Sequence, residues 1–236
     1  MMYTYLLVNF FTIVIPFLFS FHPKLKFYKT WWAFFPAVFL TAMFFLIWDG
    51  YYTKLGIWGF NKQYVTGFYF NALPIEEVLF FFCIPYACIY TYHCIDLILK
   101  PDSSSKAETI LTNILIGLCV LTGFINIHQA YTAFAFLTLA VLLLIAKYFC
   151  RVQWLMKFYM IYGVLMLPFL VVNGILTGTG LENPVVWYNN EEIFGFRILT
   201  IPFEDVFYGA AMILMNLLIY KYLLNKMALG SDNVRP

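Results

Sequence analysis

Four carboxylic acids stand in two adjacent pairs, Glu76-Glu77 and Glu204-Asp205, two and three residues past Pro74 and Pro202. Proline suits the first turn of a helix, where its missing N–H costs nothing. Both pairs are therefore expected in an opening helical turn, near the positive end of the dipole. Aromatic residues follow each pair: Phe80, Phe81 and Phe82 after the first, Phe207 and Tyr208 after the second. A single Glu after a proline reads most simply as a capped, solvated helix end. Two such pairs, without a Lys or Arg in the same turn, read as functional groups. Carboxyl groups crowded in a water-poor pocket can hold a proton between them. Such a site can deliver a proton to an alkene and take one back, while aromatic faces stabilise the intervening cation.

Other chemistries lack their parts. There is no Gly-x-Gly-x-x-Gly and no Gly-x-x-x-x-Gly-Lys-Ser/Thr, which leaves dinucleotide and triphosphate binding without support. His22, His93 and His128 are scattered and form no metal set, and His93 is expected to pair with Asp96 at a helix end. No Asp-Asp-x-x-Asp motif suggests magnesium-bound pyrophosphate, and Lys221 lies at the end of the last apolar run, not in its middle. Cys83, Cys88, Cys94, Cys119 and Cys150 sit in or beside apolar runs and read as packing thiols. No metal and no cofactor is expected.

The elements that carry the acids follow from composition. Of 236 residues 63% are hydrophobic, 22% aromatic and only 11% charged, against roughly 25% charged in a soluble domain. A soluble enzyme, a nucleic-acid binder and a secreted disulfide scaffold are excluded. Spanning helices need about 20 apolar residues, and seven stretches qualify: 3–20, 31–48, 75–97, 108–125, 129–149, 154–176 and 201–224. The first reads as a retained helix, not a cleaved signal. Pro101-Asp102-Ser103-Ser104-Ser105 is the clearest polar link. All basic residues but Lys54, Lys62 and Arg197 fall on one side, which is expected to be cytoplasmic, with the N-terminus outside. Glu76 to Asp96 is 20 residues, about 30 Å of helix, so the first acidic pair is expected at the outer hydrocarbon boundary.

The chain also contains an internal repeat. Residues 67–78 align with 195–206 at a constant offset of 128, and Asp49-Gly50 aligns with Asn173-Gly174. The expected fold is an all-α membrane protein with two parallel three-helix repeats joined by a linker helix, a 3+1+3 arrangement. Its parts are repeat one (1–99), linker helix (100–127), repeat two (128–226) and a cytoplasmic tail (227–236). The acidic pairs then lie at one depth, facing a shared centre.

At these residues the sequence resembles the integral-membrane lycopene β-cyclases, a family of bacterial two-subunit and fused enzymes and fungal cyclase domains. The resemblance rests on Trp48-Asp49, Gly56-Ile57-Trp58-Gly59-Phe60-Asn61, Leu73-Pro74-Ile75-Glu76-Glu77, Tyr188-Asn189, Glu192, Arg197 and Thr200-Ile201-Pro202-Phe203-Glu204-Asp205. It implies conversion of lycopene through γ-carotene to β-carotene in a bacterial inner membrane, without net redox change. Under it Glu76, Glu77, Glu204 and Asp205 supply acid and base. Asp49, Asn61, Asn189, Glu192 and Arg197 support them, Arg197 by pairing with Glu192 or Asp205. Phe80, Phe81, Phe207 and Tyr208 line the substrate. The implied partners are an apolar carotenoid and membrane lipids. The rival readings are a carotenoid hydratase, a non-catalytic carotenoid binder, and a 3+1+3 small-solute transporter with Pro85 and Pro168 as gating breaks.

Overall fold

The structure is a computed structural model that describes residues 3–99 and 105–232, with side chains described as far as Lys226. The expected link Pro101 to Ser104 and residues 233–236 lie outside the described residues, and 227–232, expected as tail, continue the last helix. Seven helices carry the fold: α1 (Thr4–Phe19), α2 (Trp31–Leu55), α3 (Ile75–Asp96), α4 (Lys106–Ile125), α5 (Ala130–Leu144), α6 (Leu155–Leu176) and α7 (Glu204–Asp232). Six are long and apolar enough to cross a membrane, α5 together with the π-turn Ile145–Phe149 that continues it. The seventh, α1, has 16 residues, about 24 Å against a hydrocarbon core of about 30 Å.

Local chemistry sets the helix ends. Ser105 caps α4, its Oγ accepting the Glu108 N–H at 3.1 Å, while the Glu108 carboxylate goes to Lys147. Two helices run on past their expected ends, α7 by eight residues beyond 224 and α2 by seven beyond 48. Gly56, at φ 74°, takes the left-handed position that closes α2. Hydropathy falls at Asp49 because the helix there faces a polar interior, not because it ends: Asp49 and Gly50 are both buried. Pro74 also differs from expectation. It is the extended residue that caps α3, with ψ 150°, and lies in a short ladder, as does Pro202.

The repeat is visible as symmetry. Strand β1 (Trp58–Phe60) pairs antiparallel with β4 (Val186–Tyr188), placing Trp58 opposite Tyr188, Gly59 opposite Trp187 and Phe60 opposite Val186. At offset 128 Gly59 opposes its own counterpart, and its two neighbours exchange counterparts. That self-complementary pattern marks a two-fold axis between the strands. The flanking bonds obey it: Asn61 N–H donates to the Val185 carbonyl and Asn189 N–H to the Ile57 carbonyl, both at 2.8 Å. Two hairpins repeat the relation, β2 (Tyr69–Phe70) with β3 (Leu73–Pro74) and β5 (Arg197–Ile198) with β6 (Ile201–Pro202). Their turns place Asn71 and Leu199 at the same φ of 58°, and both turns carry apolar side chains outward, among them Phe68, Phe70, Phe196 and Leu199.

Helices α2, α3, α5 and α7 enclose the core around Phe45, Phe81, Ile89, Phe136 and Leu214. Helix α4 lies outside, its Gly123 so close to Leu137 of α5 that a Cβ would stand 2.6 Å from that side chain. At the end of the bundle remote from the strands, Lys157 and Lys221 reach Asp96 at 2.5 and 3.4 Å, and Lys147 reaches Glu108 at 3.1 Å. The expected His93–Asp96 pair is replaced. His93 Nε2 instead lies 2.9 Å from the Leu25 carbonyl, and the two lysines take Asp96.

Candidate active site

A cavity of about 750 Å³ lies among α1, α3, α6 and α7, beneath the β1–β4 pair. Asp49, Glu77 and Asp205 enter it at the strand end, and below them the wall is apolar, with Val8, Ile84, Leu165 and Ile213. All three carboxyl groups are buried. Asp49 and Glu77 lie within electrostatic reach of each other, as do Glu77 and Asp205. The repeat thus delivers a matched acid from each half to one chamber, Glu77 and Asp205, each from the first turn of a spanning helix, and α2 adds Asp49 from the first half.

The geometry separates the members of each pair. Glu77 accepts the phenol O–H of Tyr5, and Asp205 accepts those of Tyr131 at 2.5 Å and Tyr188 at 3.2 Å. Glu76 and Glu204 turn away from the chamber and hold loops. Glu76 Oε1 accepts the Thr66 N–H at 2.6 Å; Glu204 Oε1 accepts the Phe194 N–H and, at 2.6 Å, the Thr132 hydroxyl. Thr66 and Phe194 are counterparts at offset 128, so this tie is duplicated too. Neighbouring residues on a helix point about 100° apart. In each pair that rotation turns the second carboxylate into the chamber and the first toward a loop.

The same rotation sorts the aromatics. Phe80 and Tyr208 line the cavity. Phe81 instead stacks on Phe45 at 6.3 Å, and Phe207 packs on Phe136 at 4.1 Å. Asn61 and Asn189 are turn residues whose side-chain oxygens accept the Gln63 and Glu191 N–H groups at 3.0 and 3.1 Å. Glu192 accepts the Ala130 N–H at 2.9 Å, holding the start of α5. Arg197 makes no direct ion pair with either expected carboxylate among the described residues, although its charge reaches Asp205. It donates to the Thr200 carbonyl at 2.8 Å and to Asn190 Oδ1 at 3.2 Å, with its guanidinium 5.9 Å from the Tyr188 ring centre.

Sequence reasoning missed the phenols. Tyr5 and Tyr131 open α1 and α5 at matching places, and extending the repeat into those helices would have exposed them. Tyr188 has Phe60 as its counterpart, so Asp205 gains a second phenol that Glu77 lacks. Burial and the charge of Asp205 push the Tyr188 phenol well above the ordinary tyrosine range, which keeps it an O–H donor.

Comparison with known proteins bears on what this chamber does. A family model described as lycopene cyclase matches residues 2–95 and again residues 128–223. The chain belongs to the lycopene cyclase family. No curated protein and no solved structure matches it. The two matched segments of the cyclase are its two repeats, and α4 falls in the gap between them. The cyclase is a membrane enzyme of carotenoid cyclisation, and its chamber has the apolar wall that a carotenoid requires.

Proposed function

We propose that Glu77 and Asp205 carry the proton transfers of lycopene β-cyclisation, with Glu77 as acid and Asp205 as base. The observation that carries this reading is the convergence of both groups, each held by a phenol, on one apolar chamber. Protonated Glu77 adds its proton to carbon 2 of a ψ-end, leaving a cation at carbon 1. The next double bond attacks it, the ring closes, and the charge moves to carbon 5. Loss of the carbon 6 proton to Asp205 then sets the ring double bond. One proton enters and one leaves, so the reaction is an isomerisation and needs no electron acceptor. Return of the proton from Asp205 to Glu77 across the chamber head resets the pair, and a second round at the other end takes lycopene through γ-carotene to β-carotene.

The unequal donor sets support the division of labour. Hydrogen bonds to a carboxylate favour its charged form, and Asp205 receives two phenols where Glu77 receives one. Phe80 and Tyr208 offer aromatic faces to the cation. Glu76 and Glu204 act as positioning residues that fix the loops roofing the chamber. The lysine-rich end of the bundle is the cytoplasmic one on this reading, and the chamber lies toward the outer face of a bacterial inner membrane.

Expression in a lycopene-accumulating bacterium tests the proposal. β-Ringed carotenoids are the expected product. Glu77→Gln and Asp205→Asn should each lose about 10²–10⁴-fold of the conversion rate, the usual worth of a positioned acid or base. A tertiary alcohol would show water capture of the cation, and unimpaired turnover in either variant would sink the assignment.

A further inference from the structure

The chamber is symmetric at its head and asymmetric below. Its rim on the α1 and α6 side consists of Leu7, Phe11, Ile15 and Val171, all lining the cavity and all strongly exposed. In a membrane protein those surfaces face lipid, so the cavity opens sideways into the bilayer between α1 and α6. The slot extends along α3 from Glu77 to Thr91. That is 14 residues or about 21 Å of helix, most of a hydrocarbon core about 30 Å thick.

The two-fold axis provides a counterpart to this slot, between α5 and α2, and there the passage is shut. Trp48 stacks on Phe134 with ring centres 4.2 Å apart and planes within 15°. Phe44 stacks on the same ring at 6.4 Å, and Tyr208 closes on it from α7 at 6.3 Å. Aligning Tyr5 with Tyr131 makes Val8 the counterpart of Phe134. Aligning Asp49-Gly50 with Asn173-Gly174 makes Val172 the counterpart of Trp48. Val8 and Val172 both line the open slot. Two valines on one side thus stand where a stacked Trp and Phe seal the other.

We propose that the cyclase admits its carotenoid through the slot between α1 and α6, so that each ring closes in a separate binding event. This rests on the cyclase reading above. Both carboxyl groups serve one chamber head, so one ψ-end is processed at a time. With the α5–α2 side sealed, the polyene cannot slide through to present its second end. The ringed end, bulkier than the linear one, withdraws by the way it came. The monocyclic product returns to the bilayer and is turned end for end before it binds again.

Two experiments test this. In proteoliposomes, labelled lycopene is given to the unaltered chain and chased with excess unlabelled lycopene. Labelled γ-carotene should build up and stay monocyclic through the chase, by at least tenfold over labelled β-carotene. Label passing into β-carotene undiluted would overturn the proposal. In the second experiment the double variant V8F/V172W places the sealing pair in the open slot. It is built on Glu77→Gln, which holds substrate without turnover, and lycopene co-purifying with the protein is measured by absorbance. Retention should fall at least tenfold against Glu77→Gln alone, and equal retention would overturn the slot. A chain that forms no ring at all defeats the cyclase reading, while the retention comparison still decides whether the slot admits lycopene.

Discussion

At the scale of single residues, the acidic pairs combine two jobs in adjacent positions. The second acid of each pair faces the chamber and the first ties a loop to the helix that carries it. Removing the tie should therefore cost stability more than chemistry. Glu76→Leu deprives the Thr66 N–H of its acceptor, and a hydrogen bond to a charged group contributes about 1.5–3 kcal/mol. Thermal unfolding of the purified variant should show a loss of that size. Its conversion per inserted molecule should fall by about tenfold at most, far less than for Asp205→Asn. A loss equal to that of Asp205→Asn would return Glu76 to the chemistry. The sequence displayed both acids equally, and only helical rotation tells them apart. The phenols were harder to see, because a Tyr in a chain with 18 of them stands out only by its counterpart in the other half.

At the scale of elements, apolar runs located all seven helices, because membrane helices bury or expose apolar groups on every side and leave long uninterrupted tracts. They missed the C-terminal end of α2, where Asp49 and Thr53 continue the helix beside the buried acids, and they could not show the short ladders. The β1–β4 ladder depends on pairing across more than 120 residues, which no local pattern records, and the two hairpins have strands of only two residues. The β1–β4 pair roofs the chamber, and its centre is tight. A Cβ on Gly59 would stand 2.4 Å from Cζ2 of Trp187, a contact that real side chains do not make. Gly59→Ala should push the indole aside and part the strands. Overpacking of this kind costs about 1–3 kcal/mol, and Trp187 fluorescence together with the unfolding midpoint would register it. An unchanged spectrum and midpoint would show that the roof yields freely.

At the scale of the whole molecule, the chamber belongs to neither half alone. Tyr5 and Glu77 come from the first repeat, Tyr131, Tyr188 and Asp205 from the second, and the strand pair binds the halves across the axis. Cutting the chain between residues 101 and 104 should leave two inactive pieces that regain conversion when co-expressed, as product analysis of the pair against each piece would show. Activity in one piece would mean that a complete site exists within a single repeat. The repeat itself was legible in the sequence from 67–78 and 195–206. Its asymmetry was not, since Val8 and Val172 look unremarkable until they are set beside Phe134 and Trp48.

The two hairpin turns add a mechanical consequence. Phe68 and Phe196, counterparts at offset 128, are 74% and 55% exposed on the two sides of the axis, and apolar groups of this kind leave water for the edge of the acyl tails. One such float would let the bundle list to one side. A matched pair works like outriggers on a hull, levelling the protein and holding its carboxyl groups at a constant draught below the waterline, whatever the lipids around it are doing.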